Sequence, residues 1–431
     1  MKTNSAYDNI ILGENCVFSS NCDETQLNNN ILVVGSSGCG KTMSVSEPRL
    51  LNTENSNLII TISKRKLYYK YKPLLIERGY NVLDLNFVSP EESDVGYDPL
   101  AYVEDANDMA FLAQNIVNLD PRKERCTKMD PYWDEISESL VVAIASLAKW
   151  KDKRASFSDV LDLHHRLRVF DGYGSQIATS LDDEFDVFIK ECPDSAGASA
   201  WNSFRQLPMK TAMCSYSSLN VVIDTIFSDS LKEMMRKPSV DFRKLANEKT
   251  VLFVTTSAVN PSLNAFVNMF YSQAIKSLFE YAELQPDGSL PIPTHLLCDD
   301  FAVGAPINRF HEFISIMREK KISATILLQS ESQLEAMYGS DKSTTIINNC
   351  DSYVFLGGMD LRTCKNVSEK LNIPLDEVLY MPIGTVALFR RGQRPCMTKR
   401  YNILENNLYK KITKNYETLK KSPKTKGENR D

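Results

Sequence analysis

Ile31-Leu32-Val33-Val34-Gly35-Ser36-Ser37-Gly38-Cys39-Gly40-Lys41-Thr42 is an apolar run that turns directly into the pattern G-x-x-x-x-G-K-[ST]. Four apolar residues, then glycines and a Lys-Thr pair, read as a strand, a phosphate-binding loop (P-loop) and the start of a helix. Glycines at 35, 38 and 40 allow a tight turn that aims the backbone N–H groups of Gly35, Ser36, Ser37, Gly38, Cys39, Gly40, Lys41 and Thr42 at one anion. The helix that begins near Lys41 presents its positive end to the same point. In such a loop Lys41 reaches the β- and γ-phosphates of ATP and the Thr42 hydroxyl holds Mg²⁺. The alternative is a Gly/Ser turn that happens to carry Lys-Thr. Four fixed positions in the strand-loop-helix context argue against it.

Outward from this stretch, residues 9–12 and 16–19 read as a hairpin ahead of the loop, and 43–51 as the helix after it, interrupted by Pro48. Residues 57–62 form a second buried strand, 67–78 a helix and 80–85 a third strand. The order β-loop-α-β-α-β predicts an α/β fold, a P-loop NTPase with a mostly parallel, doubly wound sheet. From 101 to 245 the pattern is helical throughout, at 105–119, 133–149, 156–169, 182–192, 198–225 and 230–235, which predicts an inserted all-α domain. Strands at 250–255, 295–298, 323–328, 352–356 and 385–389 alternate with helices at 261–284, 308–320 and 342–348. The nucleotide-binding domain is therefore expected to comprise 1–100 and 246–400. Residues 401–431 read as a basic, partly disordered tail, with disorder expected over 423–431.

At 431 residues, 43% hydrophobic and 24% charged, the chain is globular and has apolar material for two domains. No uncharged apolar run approaches the roughly 18 residues of a membrane span, and Met1 to Asn9 lacks the apolar core of a signal peptide. The expectation is a cytoplasmic chain whose membrane contact comes through a partner. Ten cysteines without a C-x-x-C pair, and only four histidines, indicate reduced core thiols and no zinc site or disulfide framework. Net charge is −5, but the stretch from Arg390 to the end holds thirteen Lys/Arg against four Asp/Glu, or +9, so the first 389 residues carry −14. Such an end either solvates as a Lys-rich tail or touches nucleic acid.

A P-loop needs a carboxylate at the end of a nearby strand to order Mg²⁺ through water. In Thr294-His295-Leu296-Leu297-Cys298-Asp299-Asp300 a short apolar strand ends in two. Asp299 is expected to face the metal and Asp300 to polarise the attacking water; an acidic loop start is the other reading. Asp299 lies 257 positions beyond Thr42, a gap the helical insertion accounts for. The strand at 325–328 ends in Gln329-Ser330, where Gln329 either bonds the γ-phosphate or the lytic water, or simply ends the strand.

From about residue 30 to 389 the order of motifs resembles the conjugative coupling proteins of type IV secretion systems, the TraG/TraD type of DNA-pumping ATPase. Besides the P-loop it includes Pro48 and Leu50, Thr61 and Lys64, Tyr97-Asp98-Pro99-Leu100, Pro131-Tyr132-Trp133 and Asp299-Asp300-Phe301-Ala302. Leu327-Leu328-Gln329-Ser330 with Gln333-Leu334, and Asn349-Cys350-Asp351 with Phe355-Leu356-Gly357-Gly358, complete the set. The resemblance implies a RecA-like motor domain in a homo-oligomeric, hexameric ring, with an all-α domain that meets a relaxase-DNA complex. It implies ATP and Mg²⁺ as cofactors, and single-stranded DNA and a secretion channel or membrane-anchored component as partners. Arg318, eleven residues before Gln329, matches the position from which an arginine reaches into the neighbouring subunit's site. Without the family, it belongs to a solvated helix end.

Three departures bear on these expectations. The family's Asp-Glu is Asp299-Asp300 here, and a misplacement of order 1 Å can cost ~10²-fold in rate. The second-strand motif, usually acidic residue, proline and glycine around a lysine, reads Ile62-Ser63-Lys64-Arg65-Lys66, and the transmembrane helices common in the family are missing. The leading expectation is an ATP-driven motor delivering relaxase-bound single-stranded DNA to a conjugation channel. A low-turnover ATP-binding adaptor for protein substrates, or a DNA-pumping ATPase outside conjugation, are the alternatives.

Overall fold

The apolar runs become strands largely where their sequence places them. The computed structural model describes residues 7–120, 131–172, 176–257, 261–299, 301 and 306–421. β1 (Asn9–Gly13) and β2 (Cys16–Ser19) form the expected hairpin. β3 (Ile31–Val34), β4 (Asn57–Ile62) and β5 (Asn81–Asn86) follow, then β6 (Val169–Phe170) and β7 (Ala178–Thr179), a two-residue pair among the helices. β8 (Thr250–Thr255), β9 (Thr294–Cys298), β10 (Ile322–Leu328), β11 (Ser352–Phe355), β12 (Thr385–Arg390) and β13 (Cys396–Lys399) complete the series among the described residues. Nine strands make one sheet in the order β13-β12-β11-β3-β10-β9-β4-β8-β5. From β11 to β5 every neighbouring pair is parallel, and β12 and β13 add an antiparallel edge. The fold is α/β and mostly parallel, with helices inserted between β5 and β8.

The central parallel strands are buried on both faces, as a parallel sheet requires, while the antiparallel edge strand β13 is largely exposed. Ile31, Val33, Ile60, Phe253 and Leu327 pack on one face with Leu50, Leu51, Tyr71 and Leu75 of helices Glu47–Asn52 and Lys66–Glu77. Their alternates Leu32, Val34, Ile59, Leu252 and Ile326 point to the other face. There the apolar cluster continues through helix Pro261–Glu283 into the insertion, where Phe185 and Trp201 stack at 3.6 Å.

The structure differs from the sequence reading where proline or burial decides. The predicted helix 198–225 is two helices, Ala196–Arg205 and Met209–Ile226, because Pro208 offers no N–H and disfavours helical backbone at Leu207. Pro48 does not interrupt its helix. It stands in the first turn of Glu47–Asn52 after a wide turn over Thr42–Ser46, in which the Glu47 N–H reaches the Thr42 carbonyl. The helix expected over 308–320 spans Phe310–Ile316, since the chain must turn through Lys321 (φ 55°) to start β10. The basic tail is folded up to 421: β13 pairs with β12, and helix Asn407–Lys421 buries Tyr409 and Ile412 against the sheet-face cluster. The expected disorder at 423–431 lies outside the described residues. Among the described residues no helix is long and apolar enough to cross a membrane.

Asp98 ties the insertion to the sheet. Its Oδ1 accepts the N–H of Leu100 at 3.0 Å and of Phe157, the first residue of helix Phe157–Arg166, at 2.9 Å. Its own N–H donates to Ser239 Oγ at 2.9 Å. Burial pushes this carboxyl up to about 6. An acid whose folded pKa is raised adds stability that is fully present below its unfolded value near 4 and is lost as pH rises through about 6. Asp98→Asn keeps the Oδ1 acceptor. Denaturant unfolding from pH 4 to 7 should therefore show the wild type losing on the order of 2 kcal/mol relative to the Asn variant; parallel profiles would contradict this.

Candidate nucleotide-binding site

β3 ends against two neighbours that hold the backbone following it. The Gly35 N–H donates to the Leu328 carbonyl at the end of β10 at 3.1 Å, and the Ser36 N–H to the Gly357 carbonyl just beyond β11 at 3.0 Å. Gly35 is buried, and a Cβ on it would stand 3.0 Å from that of Leu356. The loop then rises into solvent at Ser37 and Gly38 and turns back through Gly38 (φ 77°) and Gly40 (φ 91°), where a side chain would be strained. The Ser44 N–H closes the first helical turn on the Gly40 carbonyl at 2.9 Å. Lys41 Nζ folds over the loop, donating to the carbonyls of Gly35 at 2.6 Å and Ser36 at 3.3 Å. A lysine folded over a loop that turns through two positive-φ glycines into a helix is an arrangement suited to an anion.

The remaining predicted residues divide between the two edges of the sheet. Leu328 is level with Val34 across β10 and β3, so Gln329 emerges opposite Gly35 at the carboxyl edge. Cys298 is level with Ile326 across β9 and β10, so Asp299 emerges at the same edge, two strands or about 10 Å from β3. Asp299 and Gln329 line one cavity of about 140 Å³ with Ser63, Thr256, Asn264 and Tyr271. Burial and the nearby Asp299 carboxylate push the Cys298 thiol up. Asp300 lies outside the described residues. Thr42 opens the wide turn beneath the loop.

Arg318 is elsewhere. It precedes β10 at the amino edge, donating to the carbonyls of Gln26 and Cys22 at 3.2 Å each. β10 is seven residues, about 23 Å long, which separates Arg318 from its own P-loop by more than a side chain's length. A cavity of about 750 Å³ opens at that edge around Arg318, Arg49 and His295. Though far larger, it has no glycine-rich backbone turned toward it, and the His295 ring is occupied by Ser323 and Thr325 hydroxyls at 2.7 and 2.8 Å. The glycine turn and the cavity lined by Asp299 and Gln329 both lie at the carboxyl edge.

In the altered second-strand loop Arg65 pairs with the buried Asp84 at 2.7 Å and Lys64 is exposed. One residue of the site escapes the sequence reading. Arg400, just past β13, donates from Nη1 to the Cys39 carbonyl and fills the place where a Gly40 side chain would stand. No spacing signals a contact between residues 361 positions apart.

The model of the family "Type IV secretory system Conjugative DNA transfer" matches residues 7–372. No curated protein matches the chain. Among solved structures it is similar to the bacterial conjugative coupling protein TrwBdeltaN70, unbound form, at 17% identity over 86% of this chain and 84% of that one, with a TM-score of 0.62. Plasmid coupling protein TrwB in complex with ADP and Mg²⁺ is similar at 18% identity, over 86% and 85%, with a TM-score of 0.62. VirB4 of Thermoanaerobacter pseudethanolicus matches at 13% over 91% and 96%, with a TM-score of 0.52. At these identities the likeness is one of fold.

The two positive-φ glycines of the loop separate strain from collision. A side chain on Gly38 meets nothing within 4 Å, so Gly38→Ala should cost only its left-handed conformation, about 1 kcal/mol. Gly40→Ala adds a clash with Arg400 and should cost more in guanidinium unfolding. Equal costs would mean that Arg400 steps aside freely.

Proposed function

The chain belongs to the type IV secretory system conjugative DNA transfer family, and we propose that it is an ATP-driven coupling protein delivering relaxase-bound single-stranded DNA to a type IV secretion channel. One observation carries the reading: the glycine cradle at 35–42, with Lys41 over it, shares the carboxyl edge of the sheet with Asp299 and Gln329. TrwB has been solved with ADP and Mg²⁺ and with a non-hydrolysable ATP analogue, which supports a nucleotide in the corresponding loop here.

The residues fit Mg-ATP. Residues 35–42 enclose the phosphates: Gly35 and Ser36 anchor the loop to the neighbouring strands, backbone N–H groups beyond Ser36 meet the phosphates, and Lys41, transferred from the Gly35 and Ser36 carbonyls, neutralises the β- and γ-oxygens. Thr42 and Asp299 would hold Mg²⁺, which when bound offsets charge building between the phosphates. Asp300 orients the attacking water, and Gln329 bonds that water or the γ-phosphate. Arg318, at the opposite edge, serves a neighbouring subunit in a homo-oligomeric ring, hexameric by resemblance, so turnover depends on assembly. Contact with the membrane comes through the channel or a membrane-anchored partner, and contact with DNA is chiefly through its phosphates.

Phosphate release from the purified chain, with and without single-stranded DNA, tests the proposal. Wild type should be stimulated by DNA, and Lys41→Ala should lower turnover at least about 10²-fold. Nucleotide binding with partner recruitment but no DNA-stimulated release would instead assign the low-turnover adaptor. No ATP binding at all would remove both.

A further inference from the structure

The basic C-terminal stretch folds back onto the P-loop and the helix beyond it. β13 runs antiparallel to β12, and the Arg400 N–H donates to the Gly384 carbonyl at 2.8 Å, which sets the residue beside the loop. From there Nη1 donates to the Cys39 carbonyl in the space left by the missing Gly40 side chain. Nine residues on, the Tyr409 hydroxyl donates to Glu47 Oε1 at 3.5 Å, on the helix that continues from the P-loop. Lys70 Nζ, 2.7 Å from Glu47 Oε2, stands over the Tyr409 ring at 3.5 Å. Glu47, Lys70 and Tyr409 are buried.

In a trans peptide the C=O and the following N–H point in opposite directions. A guanidinium that fixes the Cys39 carbonyl therefore also fixes the Gly40 N–H, on the opposite side of that peptide. Gly40, at φ 91°, has no side chain with which to hold that peptide itself. A charge-assisted bond from a residue anchored on the sheet edge is a strong way to hold it. We infer that Arg400 is a positioning residue for nucleotide binding: delivered in cis by the C-terminal hairpin, it presets the Cys39-Gly40 peptide for an incoming phosphate. The inference rests on the reading of residues 35–42 as a nucleotide site.

Calorimetric titration of the full chain with Mg-ATP, beside steady-state phosphate release, tests it. Arg400→Ala should raise Kd and KM roughly tenfold, the effect of losing one charged hydrogen bond, and leave kcat at saturation unchanged. Arg400→Lys, which keeps a charged donor, should recover most of the affinity. The melting temperature without nucleotide should stay near that of the wild type in both, which a merely structural role would not allow. If the Ala variant fails to fold, Arg400→Gln carries the test and should also bind more weakly. Unchanged Kd in any folded variant lacking the charge, or equal loss of kcat and unliganded stability, overturns the inference. Absence of ATP binding by the wild type would instead overturn the nucleotide-site reading.

Discussion

Two backbone hydrogen bonds, from the Gly35 N–H to the Leu328 carbonyl and from the Ser36 N–H to the Gly357 carbonyl, fasten the start of the P-loop to the strands on either side of β3. A cradle made of N–H groups has no side chains with which to hold its shape, so its geometry is borrowed from the sheet. Parallel pairing of β3 with both β10 and β11 brings their carboxyl ends level, and the loop inherits that alignment. The same register carries Gln329 to the loop and, one strand farther, Asp299. The site is a consequence of strand order as much as of the motif.

Helix Pro261–Glu283 joins this edge to the insertion. Asn264 and Tyr271 line the cavity holding Asp299 and Gln329, and the Tyr271 and Thr61 hydroxyls are 2.6 Å apart. On the same helix Phe266 packs edge-on against Phe227 and Tyr97 at 5.5 and 5.3 Å, and Asp98 beside Tyr97 caps into the insertion. One apolar cluster therefore runs from the sheet into the helical part.

Several polar side chains at the sheet's edges also hold the fold of their own chain. Arg318 clamps the carbonyls closing the short helix Cys22–Thr25, and Asp8 accepts the N–H groups of Glu54 and Asn55 at 2.9 and 2.8 Å. Arg65, in the loop that departs from the family pattern, neutralises buried Asp84. Positive charge concentrated at the end of the chain proves compatible with burial because the apolar positions Tyr409 and Ile412 recur at helical spacing, with lysines on the opposite side.

Local signals were sufficient for much of this protein. The run of Val and Ile before glycine, the G-x-x-x-x-G-K-[ST] spacing and the alternation of strand and helix patterns determined the α/β class, the strand-loop-helix turn at 35–42 and the largely helical character of 101–245. They did so because period and turn chemistry act over a few residues. Only the tertiary structure decided that β10 and β9 follow β3 in that order, that Arg318 lies at the edge opposite Lys41, and that Arg400 closes on Cys39. Those facts depend on how whole strands pair and which helix covers which face, a balance of burial over hundreds of residues that no window of the chain contains.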